Sequence, residues 1–489
     1  MSLMRSVLTM IGLFLLNGPI PASPPDRPRP HIVLILLDDL GYGDLGCTNP
    51  EAKTVTPRID RLAAEGLRFT DAHAPGSVCV PSRYGLLTGR DPWRTSLDWQ
   101  RQAIIEPDRP TLPSLLRDAG YTTAMVGKWH QGFDGGIDFA YDQPLTGGPV
   151  DRGFDTFFGM HASLDIPPYF YINDSSVVAP PTLTIDDHVS PAPWSRIQGA
   201  FWRAGPIAPG FVMEQVLPRF TDEAIATLDR FAADRPGDPS FLYLALTAPH
   251  TPWLPDDRFL DLGGAELYSA FVAHVDHEVG RVLDAIDRLG RRDDTLVILA
   301  SDNGPVWDSK DIDRTGHRSA GPFRGMKGDA WEGGHRIPFL VRWPGQTPEG
   351  TTTDALLSFT DLLATFAAIV GRDLPDDAGE DSFNLLPVWR GQPPDQPIRD
   401  TLVTQSSSGV LAVRCGPWKL IPMLGSGGFS LPRRLDPEPD GPTGQLYHLA
   451  SDPSEQHNRF ADHPEIVADL TSLLDHLRAS GRSRPPTAE

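Results

Sequence analysis

The chain has 489 residues, and its 64 Asp and Glu against 43 Lys and Arg give a formal net charge of -21. That charge, with no basic stripe to offset it, argues against a nucleic-acid partner, and 40% hydrophobic with 22% charged residues argues against a disordered chain. Three scattered cysteines, Cys47, Cys79 and Cys415, form no CxxC pair, so neither a disulfide framework nor a zinc cluster is expected and one disulfide at most is possible.

In chain order, residues 1–23 carry Arg5, an apolar stretch over 7–16, then small residues and Pro, the layout of a Sec-type signal peptide. The apolar stretch is too short to span a bilayer, and no later segment reaches about 18 apolar residues. The expectation is an exported protein, periplasmic or secreted, with no stable membrane insertion. A Pro-rich linker over 24–30 runs into His31-Ile32-Val33-Leu34-Ile35-Leu36-Leu37, a run suited to a strand buried on both faces of a parallel sheet. Helices are predicted over 57–65, 111–119, 218–232 and 360–370, and strands over 122–126, 241–247, 295–300 and 339–342.

Before the strand at 295, Leu267, Phe271, Val275, Val279, Val282, Ile286 and Leu289 recur at helical spacing, and Gly290 is the stop. The stretch 132–217 is loop-rich and aromatic, and connections of that length usually carry function or a small subdomain. Beyond residue 391 short antiparallel strands are predicted over 401–405, 410–414 and 418–421, then a helix over 464–480. The expected organisation is an α/β catalytic domain over 31–395 and a small α+β subdomain over 396–489. The 50 prolines, spread along the chain, predict many stiffened loops.

Asp38 and Asp39 end the first strand, and Asp302 and Asn303 follow the strand at 295. Open α/β sheets place ligands at that carboxyl edge. Three carboxylates and an amide oxygen there make an all-oxygen site, suited to Ca²⁺, or to Mg²⁺, better than to zinc. Taken alone, Asp38-Asp39 also fits a cap on a helix or turn.

The specific signal is Cys79-Val80-Pro81-Ser82-Arg83 followed by Leu87-Thr88-Gly89. Here the sequence resembles the formylglycine-dependent sulfatases, whose signature is Cys-x-Pro-Ser-Arg followed by Leu-Thr-Gly. Further segments resemble the same family in order: Gly127-Lys128-Trp129-His130, Ala248-Pro249-His250-Thr251-Pro252, and Phe323-Arg324-Gly325-Met326-Lys327 leading into Trp331-Glu332-Gly333-Gly334. Leu446-Tyr447-His448-Leu449 with Asp452-Pro453 and Glu455 resembles the family's ending, departing at His448, where no catalytic role is expected.

The resemblance implies an alkaline-phosphatase-like sandwich with a central, mostly parallel sheet. It implies that a separate maturation enzyme, a transient partner, oxidises Cys79 to formylglycine. The hydrated aldehyde has two geminal hydroxyls, one to attack sulfur and one to lose its proton later and expel sulfate. It implies a divalent ion held by Asp38, Asp39, Asp302, Asn303 and residue 79, with Arg83 and Lys128 orienting the formylglycine and the ion. His130 is the implied base for the diol, and His250 with Lys327 lies at the bridging oxygen, either able to protonate the leaving alcohol. Ser163 is a looser match to a serine near the sulfate.

His317, Arg318 and Arg324, beside the lysine segment, are candidates to bind a substrate carboxylate or second sulfate; a solvated basic loop is the alternative. Cys47, Cys415, Trp129 and Trp253 read as structural. The expected activity is hydrolysis of a sulfate ester on a carbohydrate or aryl group. A phosphonate or phosphodiester hydrolase, an N-sulfamidase and an inactive sulfated-sugar binding protein are the rivals, the last disfavoured because neither the cysteine nor any metal ligand is lost.

Overall fold

The computed structural model describes residues 29–486. The expected leader over 1–23 and most of the linker over 24–30 lie outside the described residues. No helix among the described residues is long and apolar enough to cross a membrane.

The apolar run beyond the linker becomes strand β1 (His31–Asp38), in which every residue after His31 is buried. The other strands of its sheet are β2 (Leu67–Phe69), β3 (Thr122–Lys128), β4 (Thr156–Met160), β5 (Ile172–Asn173), β6 (Ser176–Val177), β7 (Ser240–Pro249), β8 (Thr295–Ser301), β9 (Phe339–Arg342) and β10 (Thr351–Thr353). They lie in the order β10-β2-β9-β8-β1-β7-β3-β4-β5-β6. The central strands β8, β1, β7, β3 and β4 are parallel, and β9 is antiparallel to both its neighbours. Parallel strands need crossover connections, which helices α1 (Pro57–Ala64), α2 (Cys79–Thr88), α3 (Leu112–Asp118), α4 (Val216–Asp234) and α5 (Glu266–Arg288) help to supply, while α6 (Asp361–Ile369) follows the last strand of the sheet and packs on α3.

Helix α5 buries Phe271, Val275, Val279, Val282 and Ile286 of the stripe expected from its spacing, and packs with α4 beside β7. Close approach inside the sheet is set at Gly127, whose φ is 117° and where a Cβ would lie 1.9 Å from the Ala245 carbonyl oxygen. Only glycine fits there. The expected α/β sandwich is what the chain forms, with differences at the margins. Strands β2, β4, β5, β6 and β10 add to the expected set; none of them holds three consecutive Val, Ile, Leu or Phe residues, as β9 does. The stretch expected to be loops therefore widens the sheet.

The C-terminal part forms a separate antiparallel sheet of β11 (Thr401–Gln405), β12 (Leu411–Cys415), β13 (Trp418–Ile421) and β14 (Gln445–His448), paired in chain order. Helix α7 (Pro464–Ser480) covers it with Leu470, Leu474 and Leu477. Buried charges join this sheet to the large one. Lys419 Nζ lies 3.0 Å from Glu332 Oε1, 2.9 Å from Glu455 Oε1 and 3.1 Å from His335 Nε2, and Arg414 pairs with Asp71 at 2.8 Å. His73, Glu332 and His335 could by spacing hold a metal ion, but the Lys419 ammonium already satisfies two of them. Breaking a buried pair of this kind usually costs about 3–5 kcal/mol, so the clasp fixes the small sheet against the catalytic edge.

Candidate active site

Strands β1 and β8 are in register, Leu37 opposite Ser301, so their next residues leave the sheet at one level. That alignment brings Asp38, Asp39, Asp302 and Asn303 together, all buried. Asn303 Nδ2 donates to Asp39 Oδ1 at 2.7 Å, and the Asp39 amide donates to Asp302 Oδ1 at 3.3 Å. Asp39 takes a φ of 66°, which for a residue with a side chain usually costs roughly 1–3 kcal/mol and is typical of functional sites.

Cys79 opens helix α2, with Val78 as the extended N-cap residue. Its thiol therefore lies at the positive end of a ten-residue helix, which favours negative charge. Ser82 holds the first turn by donating to the Gly76 and Val78 carbonyls, at 2.6 and 3.0 Å. At the far end Gly89, φ 66°, closes the helix, and Thr88 bonds back to the Tyr84 carbonyl at 2.8 Å. The Leu-Thr-Gly segment is thus a helix terminator. Cys79 Sγ lies 3.4 Å from His130 Nδ1, and ligand atoms of Asp38, Cys79 and Asp302 fall within 4.8 Å of one another. Burial pushes the Cys79 thiol up against the pull of Lys128 and Lys327, so it is a protonated and poor nucleophile.

Three cations interleave with the carboxylates. Arg83 donates to Asp302 Oδ2 from Nε at 3.0 Å and Nη2 at 2.8 Å. Lys128, at the end of β3, donates to Asp38 Oδ2 at 2.6 Å, and Lys327 to Asp39 Oδ1 at 2.5 Å. The lysine loop is set by Asp329, whose carboxylate accepts from the Met326 amide at 2.9 Å and the Ser430 amide at 3.0 Å. Burial alone would raise the Asp38 carboxyl, but Lys128, His250, Arg83 and Lys327 hold it well below the carboxylate range. Asp302 is pushed up to about 6 by burial and by the Asp38 charge.

His130 follows β3 with a φ of 55°, its ring edge-on to Trp99 at 4.5 Å. Burial first, then Lys128 and Arg83, pushes it well below the ordinary histidine range, which favours the uncharged ring. His250, just beyond β7, sits with Nε2 3.7 Å from Asp39 Oδ2.

Nine of the expected residues, Asp38, Asp39, Cys79, Arg83, Lys128, His130, His250, Asp302 and Asn303, converge with Lys327. Ser163, in the loop beyond β4, is buried with an Oγ that makes no hydrogen bond. The basic candidates divide. His317 is fully buried and bonded to Asp44 Oδ1 at 2.7 Å, inside a network with Tyr268 and Ser319. Arg324 stacks over Trp331 at 3.7 Å and donates to the Tyr447 hydroxyl and the Glu455 carbonyl, tying the two sheets together. The His317 imidazole is thereby spent on the protein, through Nε2 to Asp44 and Nδ1 to the Lys53 amide, whereas Arg324 makes both of its hydrogen bonds from Nη1 and is half-buried, and Arg318 is exposed. Asp165, which no motif singles out, also reaches the site, 3.9 Å from His250 Nδ1. Its only signal was its place two residues after Ser163. Cys47, Cys79 and Cys415 are all free thiols.

The donor set suits a hard divalent cation. Asp38 Oδ1 and Asn303 Oδ1 are buried with no hydrogen bond, although such oxygens are costly to leave unpaired. An ion with several oxygen ligands would supply the missing partner.

A family model described as Sulfatase matches residues 30–371. The chain is 32% identical to N-acetylgalactosamine-6-O-sulfatase of Bacteroides thetaiotaomicron, over 92% of this chain and 93% of that protein. It is 34% identical to arylsulfatase A of Homo sapiens, over 91% and 87%. The fold aligns with a TM-score of 0.80, at 32% identity, on a solved structure from the metabolism of multiple glycosaminoglycans by Bacteroides thetaiotaomicron, covering 93% of this chain and 100% of that one. Enzymes of this kind generally use formylglycine and a divalent cation. Given a family match over most of the chain and a carboxylate-lined edge facing Cys79, the chain belongs to the sulfatase family and is a sulfuric ester hydrolase.

Proposed function

We propose that the protein hydrolyses sulfate esters of saccharides, using formylglycine made from Cys79 and a bound Ca²⁺, with Mg²⁺ as the alternative ion. The observation that carries this reading is Cys79 at a buried helix N-terminus, its Sγ 3.4 Å from His130 Nδ1 and within 4.8 Å of carboxylate oxygens of Asp38 and Asp302. When present, the hydrated aldehyde supplies two hydroxyls at this point and the cation neutralises charge on sulfate and hydroxyl oxygens. In this reading the Sγ atom marks the place of a formylglycine oxygen.

The chain's own residues then have distinct tasks. Arg83 and Lys128 fix Asp302 and Asp38 and face the anionic group with positive charge. His130 takes a proton at residue 79. Lys327 and His250, on the Asp39 side, stand where the alcohol departs. Arg318 and Ser163 remain proposed contacts to substrate. The 32% relative acts, by its name, on a 6-O-sulfated N-acetylgalactosamine, and this supports a 6-O-sulfated hexosamine as substrate. Arg5 and the apolar stretch over 7–16 support export.

Sulfate release tests the reading over a panel of positional isomers of sulfated hexosamines, an aryl sulfate and a phosphodiester. A saccharide sulfate is expected to be the best substrate; higher efficiency on the phosphodiester would move the function to that rival. His250→Ala is expected to lower turnover of sugar sulfates by about 10²–10⁴, the usual value of a general acid, and that of an activated aryl sulfate far less. Equal losses on both would remove His250 from the leaving-group role.

A further inference from the structure

Asp165 sits in the loop beyond β4 with its side chain 6% exposed. One oxygen, Oδ2, is ion-paired with Arg203 Nη1. The same guanidinium donates to the Asp165 carbonyl at 3.1 Å and lies over the Phe201 ring at 5.1 Å. The Tyr169 hydroxyl donates to the Arg203 carbonyl at 2.7 Å. The carboxylate is therefore held in one orientation.

Its other oxygen, Oδ1, is buried and makes no hydrogen bond. His250 Nδ1 lies 3.9 Å from it, beyond hydrogen-bond reach. That nitrogen is already committed, 2.6 Å from the Thr251 carbonyl, so its proton points elsewhere. A carboxylate oxygen left unpaired in a buried place is costly, and here it lies against the histidine that faces the Asp39 side of the catalytic edge.

We infer that Asp165 is a specificity-determining residue, accepting a hydrogen bond through Oδ1 from a ring hydroxyl of the saccharide near the scissile ester. The inference rests on the saccharide reading above. A site built to bind a hydroxyl discriminates strongly against the analogue that lacks it, because the protein's polar group is then stranded. An aryl sulfate has no such hydroxyl and gains nothing from Asp165.

The test is kcat/KM for wild type and Asp165→Asn on the best saccharide sulfate of the panel and on its monodeoxy analogues, each lacking one ring hydroxyl. Hydrogen bonds to charged groups predict that Asp165→Asn loses on the order of 10² on the parent sugar. Wild type loses a similar factor on one monodeoxy analogue, and on that analogue the variant loses no more than about threefold further. A loss by the same factor on the parent and on every analogue would mean that Asp165 acts through His250 or the fold, and the inference falls. Where the variant does not fold, the wild-type scan decides: no single hydroxyl worth more than about threefold overturns the inference. If wild type hydrolyses aryl sulfate but no saccharide sulfate, the saccharide reading fails first and takes this inference with it.

Discussion

Cys79→Ser protein is expected to release less than one sulfate per chain, even when it folds as the wild type does. Serine places one hydroxyl at the start of helix α2, where the hydrated aldehyde places two. Attack on sulfur needs the first, and release needs the second, so the reaction stops half-way. Titrating released alcohol and released sulfate against protein concentration checks this. Sustained turnover of Cys79→Ser at a wild-type rate would sink the two-hydroxyl account.

The second large effect is at the cation site. Asp38→Asn and Asp302→Asn are expected to lose the bound ion and to lower turnover by about 10³ or more, since the ion and its ligands supply several kcal/mol of charge stabilisation. The amide is the informative change. Alanine at either position would leave Lys128 or Arg83 buried beside an empty space, and the stranded cation would cost about 3–5 kcal/mol of stability. Elemental analysis of wild type and variants, with thermal unfolding as the control for folding, reads the result. Zinc bound stoichiometrically, or full activity with no metal, would contradict an all-oxygen site.

Much of the site was legible in the sequence because sheet register does the assembling. Asp38 and Asp302 lie 264 positions apart yet step off adjacent parallel strands at one level, Leu37 opposite Ser301, and a rule about sheet edges is enough to bring them together. Strand β1 is readable from its unbroken apolar run, and helix α5 from a helical spacing repeated over several turns. Strands such as β2 and β5 are not, because Leu-Arg-Phe and Ile-Asn carry no apolar run and pairing rather than local pattern makes them strands.

The basic residues near Lys327 were harder. A sequence places His317 and Arg324 beside the lysine loop but cannot say that Asp44 has already claimed the first or that the second stacks on Trp331. Asp165 was hidden in the opposite sense, since an isolated acid in a loop has no spacing to recognise. Only the fold reveals one oxygen tied to Arg203 and the other bare.

The central claim is that residue 79 works as an aldehyde and that Cys79 is its precursor. The most direct measurement is the mass of the peptide carrying residue 79, from protein made with and without a formylglycine-generating maturation enzyme, set against sulfate-release activity of the same samples. The account predicts an aldehyde in place of the thiol and activity proportional to the converted fraction. Full activity in protein whose residue 79 is entirely an unmodified cysteine would contradict it.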